Sequence, residues 1–183
     1  LVIVDPVMGD QGFTYPTYNH KMIDRMTSLV KEATIITPNL TEACILLGKK
    51  YEKEKATIKQ VKNYLKDLCN IGPKISVITG VRTEEGQHIN LCYNKEEDKF
   101  WLIPFEYINK RYPGTGDLFT SLFIGYLMKG KLLPEAIEEA SRFVSLAVLT
   151  TYQANTLSSE GVIFEKIMKE LYNEIKEYKY VSM

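Results

Sequence analysis

The run Arg111-Tyr112-Pro113-Gly114-Thr115-Gly116-Asp117-Leu118-Phe119 decides how the rest of the chain is read. Pro113 and two glycines break any regular element, and then Leu118, Phe119, Leu122, Phe123, Tyr126 and Leu127 recur at helical spacing. The spacing predicts a helix that opens near Thr115 or Gly116 and runs to Lys129. A glycine-flanked turn feeding a helix start presents unpaired backbone N–H groups and the positive end of the helix dipole, which together make an anion site. Asp117 is the odd member of such a site, because a carboxylate repels an anion. It has two readings. It is a general base that takes a proton from a hydroxyl while the N–H groups hold a phosphoryl group, or it is a first-turn carboxylate that only caps the helix.

Working outward, the 183 residues suit one domain or a large part of one, with 45% hydrophobic and 25% charged residues as in a globular protein. Lys+Arg and Asp+Glu balance at 23 each, so bulk charge gives no pull towards nucleic acid or an anionic membrane. No apolar run reaches the roughly 20 residues of a membrane span. Cys44, Cys69 and Cys92 are widely spaced and fit neither a disulfide framework nor a zinc site, which points to a reducing, cytoplasmic setting. His20 and His88 stand alone, far from each other in sequence.

The chain opens on Leu1-Val2-Ile3-Val4-Asp5, an apolar β-rich run that reads as a strand buried on both faces. Such a strand at a chain start leads us to expect the later part of a longer protein. A Gly, Pro, Asp and Tyr-rich loop follows from Asp5 to Tyr18, then an amphipathic helix over Tyr18–Ala33 and a strand over Ile35–Thr37. Helices are predicted for Thr41–Leu47 and Thr57–Asn70, with Lys49–Lys55 as a charged connector between them. A third buried strand covers Ile75–Thr79. The runs His88–Tyr93 and Phe100–Pro104 flank a charged tip and read as a hairpin. Beyond the opening turn, helices are expected over Pro134–Tyr152 and Val162–Tyr178, the Lys/Glu-rich stretch from Lys166 to Lys179 forming a solvated helix face. This order is that of an α/β sandwich with a mainly parallel sheet.

Ligands in such sheets bind beyond the carboxyl ends of the strands. After the successive strands stand Asp5-Pro6-Val7-Met8-Gly9-Asp10, Thr37-Pro38-Asn39-Leu40-Thr41-Glu42, Thr79-Gly80 and, after the hairpin, Gly114-Thr115-Gly116-Asp117. All four carry polar or acidic residues beside Gly or Pro. A dinucleotide fingerprint does not account for the last, because Phe119 stands where its third glycine belongs.

In order and spacing these four pieces resemble the ribokinase-like (carbohydrate kinase) superfamily, and within it the pyridoxal kinases, over roughly residues 1 to 155. The resemblance implies a three-layer α/β/α sandwich with a mainly parallel sheet that lacks its N-terminal strands, residues 1–183 being the ATP-binding part of a single kinase domain. It implies ATP-dependent transfer of a phosphoryl group to the hydroxymethyl arm of pyridoxal, pyridoxine or pyridoxamine. Asp117 then takes the role of catalytic base, and Gly114, Thr115 and Gly116 form the anion hole. Asn39 and Glu42 (the Asn-x-x-Glu pair) and Asp10 are assigned to Mg²⁺, with room for a monovalent cation such as K⁺. Asp5, Tyr15, Thr37 and Thr79 join Asp10, Asn39 and Glu42 around ATP. Partners are thus a B6 vitamer and ATP, with a homodimer for the full-length protein.

Plainer readings stand beside these. Asp5 can cap the turn before Pro6, Asn39 and Glu42 have the spacing of a capping box, Thr79 can be a strand-end residue, and Tyr15 can be loop packing. The hydroxymethylpyrimidine kinases resemble the same layout. They commonly carry Lys-Ser-Gly after the first Asp-Pro-Val-Met, whereas Gly9-Asp10-Gln11-Gly12 here favours the pyridoxal kinases. A second alternative is an ATP-binding but inactive portion, since the family's N-terminal strands supply most of the vitamin pocket.

Overall fold

Short β-branched runs build the sheet. β1 (Ile3–Val4) pairs in parallel with β4 (Ile35–Ile36), and β4 with β5 (Ile75–Arg82), the register matching Val4 to Ile36 and Ile36 to Ser76. The computed structural model describes residues 1–52, 56–173 and 175–183. They form two compact units, residues 1–102 with 181–183, and residues 103–180.

In the first unit the sheet runs on from β5 to β6 (His88–Asn94), β7 (Lys99–Pro104) and β8 (Val181–Ser182), β6 being antiparallel to β5 and β8 to β7. The sheet order is β1-β4-β5-β6-β7-β8. It is an α/β fold: α1 (His20–Lys31), α2 (Leu40–Leu46) and α3 (Ile58–Ile71) accompany the parallel strands. Each has a side-chain cap, Asn19 accepting from the Met22 N–H, Asn39 from Glu42 and Thr57 from Gln60. α2 and α3 pack on β5, so that Ile36, Val61, Leu65, Leu68, Ile78 and Leu91 are fully buried. Each contributes about 1.5–3 kcal/mol of transfer free energy.

Several expectations shift. β1 pairs with β4; Val4 is buried and Ile3 partly buried, while Leu1, ahead of the strand, is 73% exposed. The stretch read as a loop after Asp5 contains a two-stranded hairpin, β2 (Gly9–Asp10) against β3 (Phe13–Thr14). β5 does not stop at Gly80 but passes it with a register shift between Ile78 and Val81, a bulge that the left-handed Gly80 (φ 67°) permits. The predicted hairpin is present as β6 and β7. Of the charged connector Lys49–Lys55, residues 53–55 lie outside the described residues.

In the second unit α4 (Thr115–Met128) packs along α5 (Leu133–Gln153), and Phe143 and Ala147 of α5 share a cluster with Leu118 and Leu122 of α4. The expected helix Val162–Tyr178 is not there; 3₁₀ turns cover Ser158–Glu160 and Glu165–Tyr172, and residue 174 lies outside the described residues. Side chains of α5 bind backbone groups in this stretch and just after it. Glu138 accepts from the Lys179 N–H at 2.8 Å and the Tyr180 N–H at 3.0 Å, and Glu139 from the Ile175 N–H at 3.3 Å. Arg142 donates to the carbonyls of Glu170 and Asn173. Backbone groups that a helix would pair internally are bound to side chains instead.

Candidate active site

The carboxyl ends of β1, β4 and β5 gather most of the polar residues singled out in the first unit. The Asp5 carboxylate accepts from the Thr37 hydroxyl at 3.1 Å, and Thr37 is buried. Thr79 forms an isolated parallel bridge with Asn39, its N–H donating to the Pro38 carbonyl at 3.0 Å. Asn39 and Glu42 make a complete capping box: Asn39 Oδ1 accepts from the Glu42 N–H at 3.0 Å, and Glu42 Oε2 from the Asn39 N–H at 2.8 Å. Their remaining atoms reach the β2–β3 hairpin. Glu42 Oε1 accepts from the Met8 N–H at 3.0 Å, and Asn39 Nδ2 donates to the Gly9 carbonyl at 2.9 Å.

Glu42 is only 4% exposed, and burial pushes its carboxyl up to about 7, against the opposing pull of the backbone N–H groups it accepts from. Asp10 and Tyr15 are exposed on and beside the hairpin; Asp10 Oδ1 accepts from the Gln11 N–H at 2.8 Å. Sequence reasoning missed Thr41, whose hydroxyl accepts from the Gly12 N–H at 2.9 Å. The signal was present, a Gln-Gly pair between Asp10 and Phe13 with both φ angles positive (54° and 83°), as in a two-residue hairpin turn.

Among the described residues no group of three or more His, Cys, Asp or Glu side chains could hold a metal ion. A nucleotide-bound Mg²⁺ needs fewer, since it keeps several waters and takes one or two carboxylates. The exposed Asp10 carboxylate fits that demand. Backbone groups engage all four polar side-chain atoms of Asn39 and Glu42, so each of their oxygens keeps one lone pair beyond the hydrogen bonds above.

In the second unit α4 starts on Gly114 in the left-handed region (φ 83°, ψ 0°) with no side-chain cap. The first intrahelical bond runs from the Leu118 N–H to the Gly114 carbonyl at 3.0 Å, which leaves the N–H groups of Thr115, Gly116 and Asp117 without a partner in the helix. Asp117 is exposed, and among the described residues its carboxylate takes part in no hydrogen bond or ion pair. It sits in the first turn, yet it caps nothing. The Thr115 hydroxyl turns back to the Tyr112 carbonyl at 3.4 Å.

An α/β sheet carrying acids at its strand ends, and a glycine turn opening a helix beside a disengaged carboxylate, are the parts of a phosphotransferase fold. The phosphomethylpyrimidine kinase family model matches residues 1–161, and the chain belongs to that family. It is 29% identical over 150 residues to a hydroxymethylpyrimidine/phosphomethylpyrimidine kinase of Helicobacter pylori, covering 81% of this chain and 54% of that protein. It is also 29% identical over 190 residues to the pyridoxal kinase PdxY of Histophilus somni, covering all of this chain and 63% of that one. A crystal structure with pyridoxal, of a protein from Bacteroides thetaiotaomicron provisionally assigned as a phosphomethylpyrimidine kinase, superposes with a TM-score of 0.93. Identity there is 34%, over all of this chain and 64% of that one. The chain thus spans between half and two-thirds of the length of these relatives, and its fold is the ribokinase-like one expected. Among the described residues no helix is long and apolar enough to cross a membrane.

Proposed function

We propose that the chain is the ATP-binding portion of a kinase domain that phosphorylates the hydroxymethyl group of pyridoxal, pyridoxine or pyridoxamine. Asp117 takes the hydroxyl proton; the freed oxygen bonds to the γ-phosphorus of ATP as the bond to the β–γ bridging oxygen breaks, releasing ADP. The unpaired N–H groups at Thr115 and Gly116, on the left-handed Gly114, hold the charge on the transferring group. Mg²⁺, when bound with the nucleotide, supplies further charge neutralisation, and Asp10 is the residue that would hold it. Thr79 and Tyr15, both partly exposed, are assigned to the nucleotide, while Asp5 and Thr37 fix the strand ends.

The observation that carries this reading is the Asp117 carboxylate, exposed and, among the described residues, without a hydrogen-bond or ion-pair partner at the start of an uncapped helix. A residue that only capped α4 would be hydrogen-bonded to its first turn. The pyridoxal in the Bacteroides structure supports a B6 vitamer as substrate. Relatives of both activities match at the same 29% identity, which keeps hydroxymethylpyrimidine as the second reading.

The test measures ADP release with the three vitamers and with hydroxymethylpyrimidine, using this chain and a longer form joined to the upstream part that its relatives possess. A kcat/KM at least tenfold higher for a vitamer supports the proposal. The reverse ratio replaces it with the pyrimidine kinase. ATP binding without turnover in both forms leaves an inactive nucleotide-binding protein.

A further inference from the structure

Three polar residues at the start of α2, Asn39, Thr41 and Glu42, reach the same five-residue stretch of backbone, Met8 to Gly12. Glu42 holds the Met8 N–H, Asn39 the Gly9 carbonyl and Thr41 the Gly12 N–H. The stretch so held is a strained one. Gln11 takes a left-handed φ of 54°, and a Cβ on Gly9 would collide with the Phe13 carbonyl oxygen and one on Gly12 with the Tyr51 ring. Met8 at its start is fully buried, but the tip is not: Asp10, Gln11 and Phe13 are exposed, Phe13 by 73%. A hairpin with two-residue strands and exposed side chains is marginal by itself. The exposed Asp10 stands within the backbone stretch that these bonds hold, its Oδ1 accepting from the Gln11 N–H.

We infer that Thr41 is a positioning residue for Asp10, acting through the Gly12 N–H to hold the β2–β3 hairpin where its acid meets a metal-bound nucleotide. The nucleotide part of the inference rests on the function proposed above. Thr41 differs from Asn39 and Glu42 in one useful way: it takes no part in the capping box, so its loss leaves the start of α2 capped. Its hydroxyl is buried and already accepts a hydrogen bond.

Two readouts on Thr41→Val, which keeps the shape and removes the hydroxyl, test the inference. Amide hydrogen exchange over residues 9–13 should accelerate about three- to tenfold, the scale of one neutral hydrogen bond, with α2 unchanged. The Kd for ATP with Mg²⁺ should rise by a similar factor, while the Kd for ATP in EDTA should not move. Thr41→Ser, which retains the hydroxyl, should restore both. Unchanged exchange in Thr41→Val overturns the clamp. Faster exchange with an unchanged Mg²⁺–ATP Kd overturns the positioning of Asp10. If the unaltered chain binds no ATP, the proposed function fails, and the exchange measurement still decides whether Thr41 holds the hairpin.

Discussion

Helices α2 and α4 each begin with residues that the sequence singles out, yet their first turns differ in kind. At α2 every polar atom is engaged: Asn39 and Glu42 bond each other's backbone, and with Thr41 they hold the hairpin. At α4 a left-handed glycine replaces the cap, and neither the first N–H groups nor the Asp117 carboxylate has a partner among the described residues. A closed helix start stabilises the fold, and an open one keeps its donors for a ligand. The same carboxylate chemistry thus has two uses, set by what lies within hydrogen-bond reach.

The contrast breaks first at Asp117. Asp117→Ala should lower kcat by about 10²–10⁴-fold, while its melting midpoint stays put, because an exposed side chain without partners costs within about 0.5 kcal/mol to remove. Steady-state kinetics and thermal unfolding on the same preparation check both. A drop in stability with kcat intact would make Asp117 a structural acid like Glu42.

Glu42 should show the opposite signature, in stability and with pH. Burial pushes its carboxyl from the usual 4.5 up to about 7 in the fold. Between those values the folded state keeps a proton that the unfolded chain has released, so stability falls as pH rises from 4.5 to about 7 and levels off above. The span is on the order of 3 kcal/mol for a shift of this size. Glu42→Gln cannot titrate there and should flatten this slope, while leaving one N–H facing an amide NH₂. Urea unfolding at intervals from pH 4.5 to 8 reads it, and an unaltered slope in the variant would assign the pH dependence to another group.

Smaller effects sharpen the comparison. Asn39→Ala removes the α2 cap and the bond to Gly9 together and should cost about 1–2 kcal/mol in urea unfolding; no loss would mean the box is dispensable. Gly114→Ala meets no neighbour within 4 Å of an added Cβ. Its cost is the left-handed backbone alone, about 1 kcal/mol. A larger loss would show that the turn is packed rather than open.

The start of α4 was legible because Pro113 and Gly114 interrupt the chain immediately before an apolar 3.6-residue pattern. The capping box was legible because Asn39 and Glu42 stand at its fixed spacing. That it would saturate both side chains was not, since Met8 and Gly9 lie about 30 residues away in sequence. The β2–β3 hairpin was hidden in a Gly- and Pro-rich stretch whose strands are two residues each, too short for alternation to show. The tail after Val162 misled for a different reason. Its local pattern suits a helix, whereas backbone groups within it are bonded to Glu139 and Arg142, which lie 28 to 36 residues earlier.

β8 has one more consequence, for colloidal behaviour. By lying against Trp101 and Leu102 it covers the row of backbone donors and acceptors on the outer side of β7. An uncovered strand of this apolar, aromatic composition is a template for another molecule's chain. Deleting residues 181–183 should therefore cost little melting temperature but raise light scattering with protein concentration.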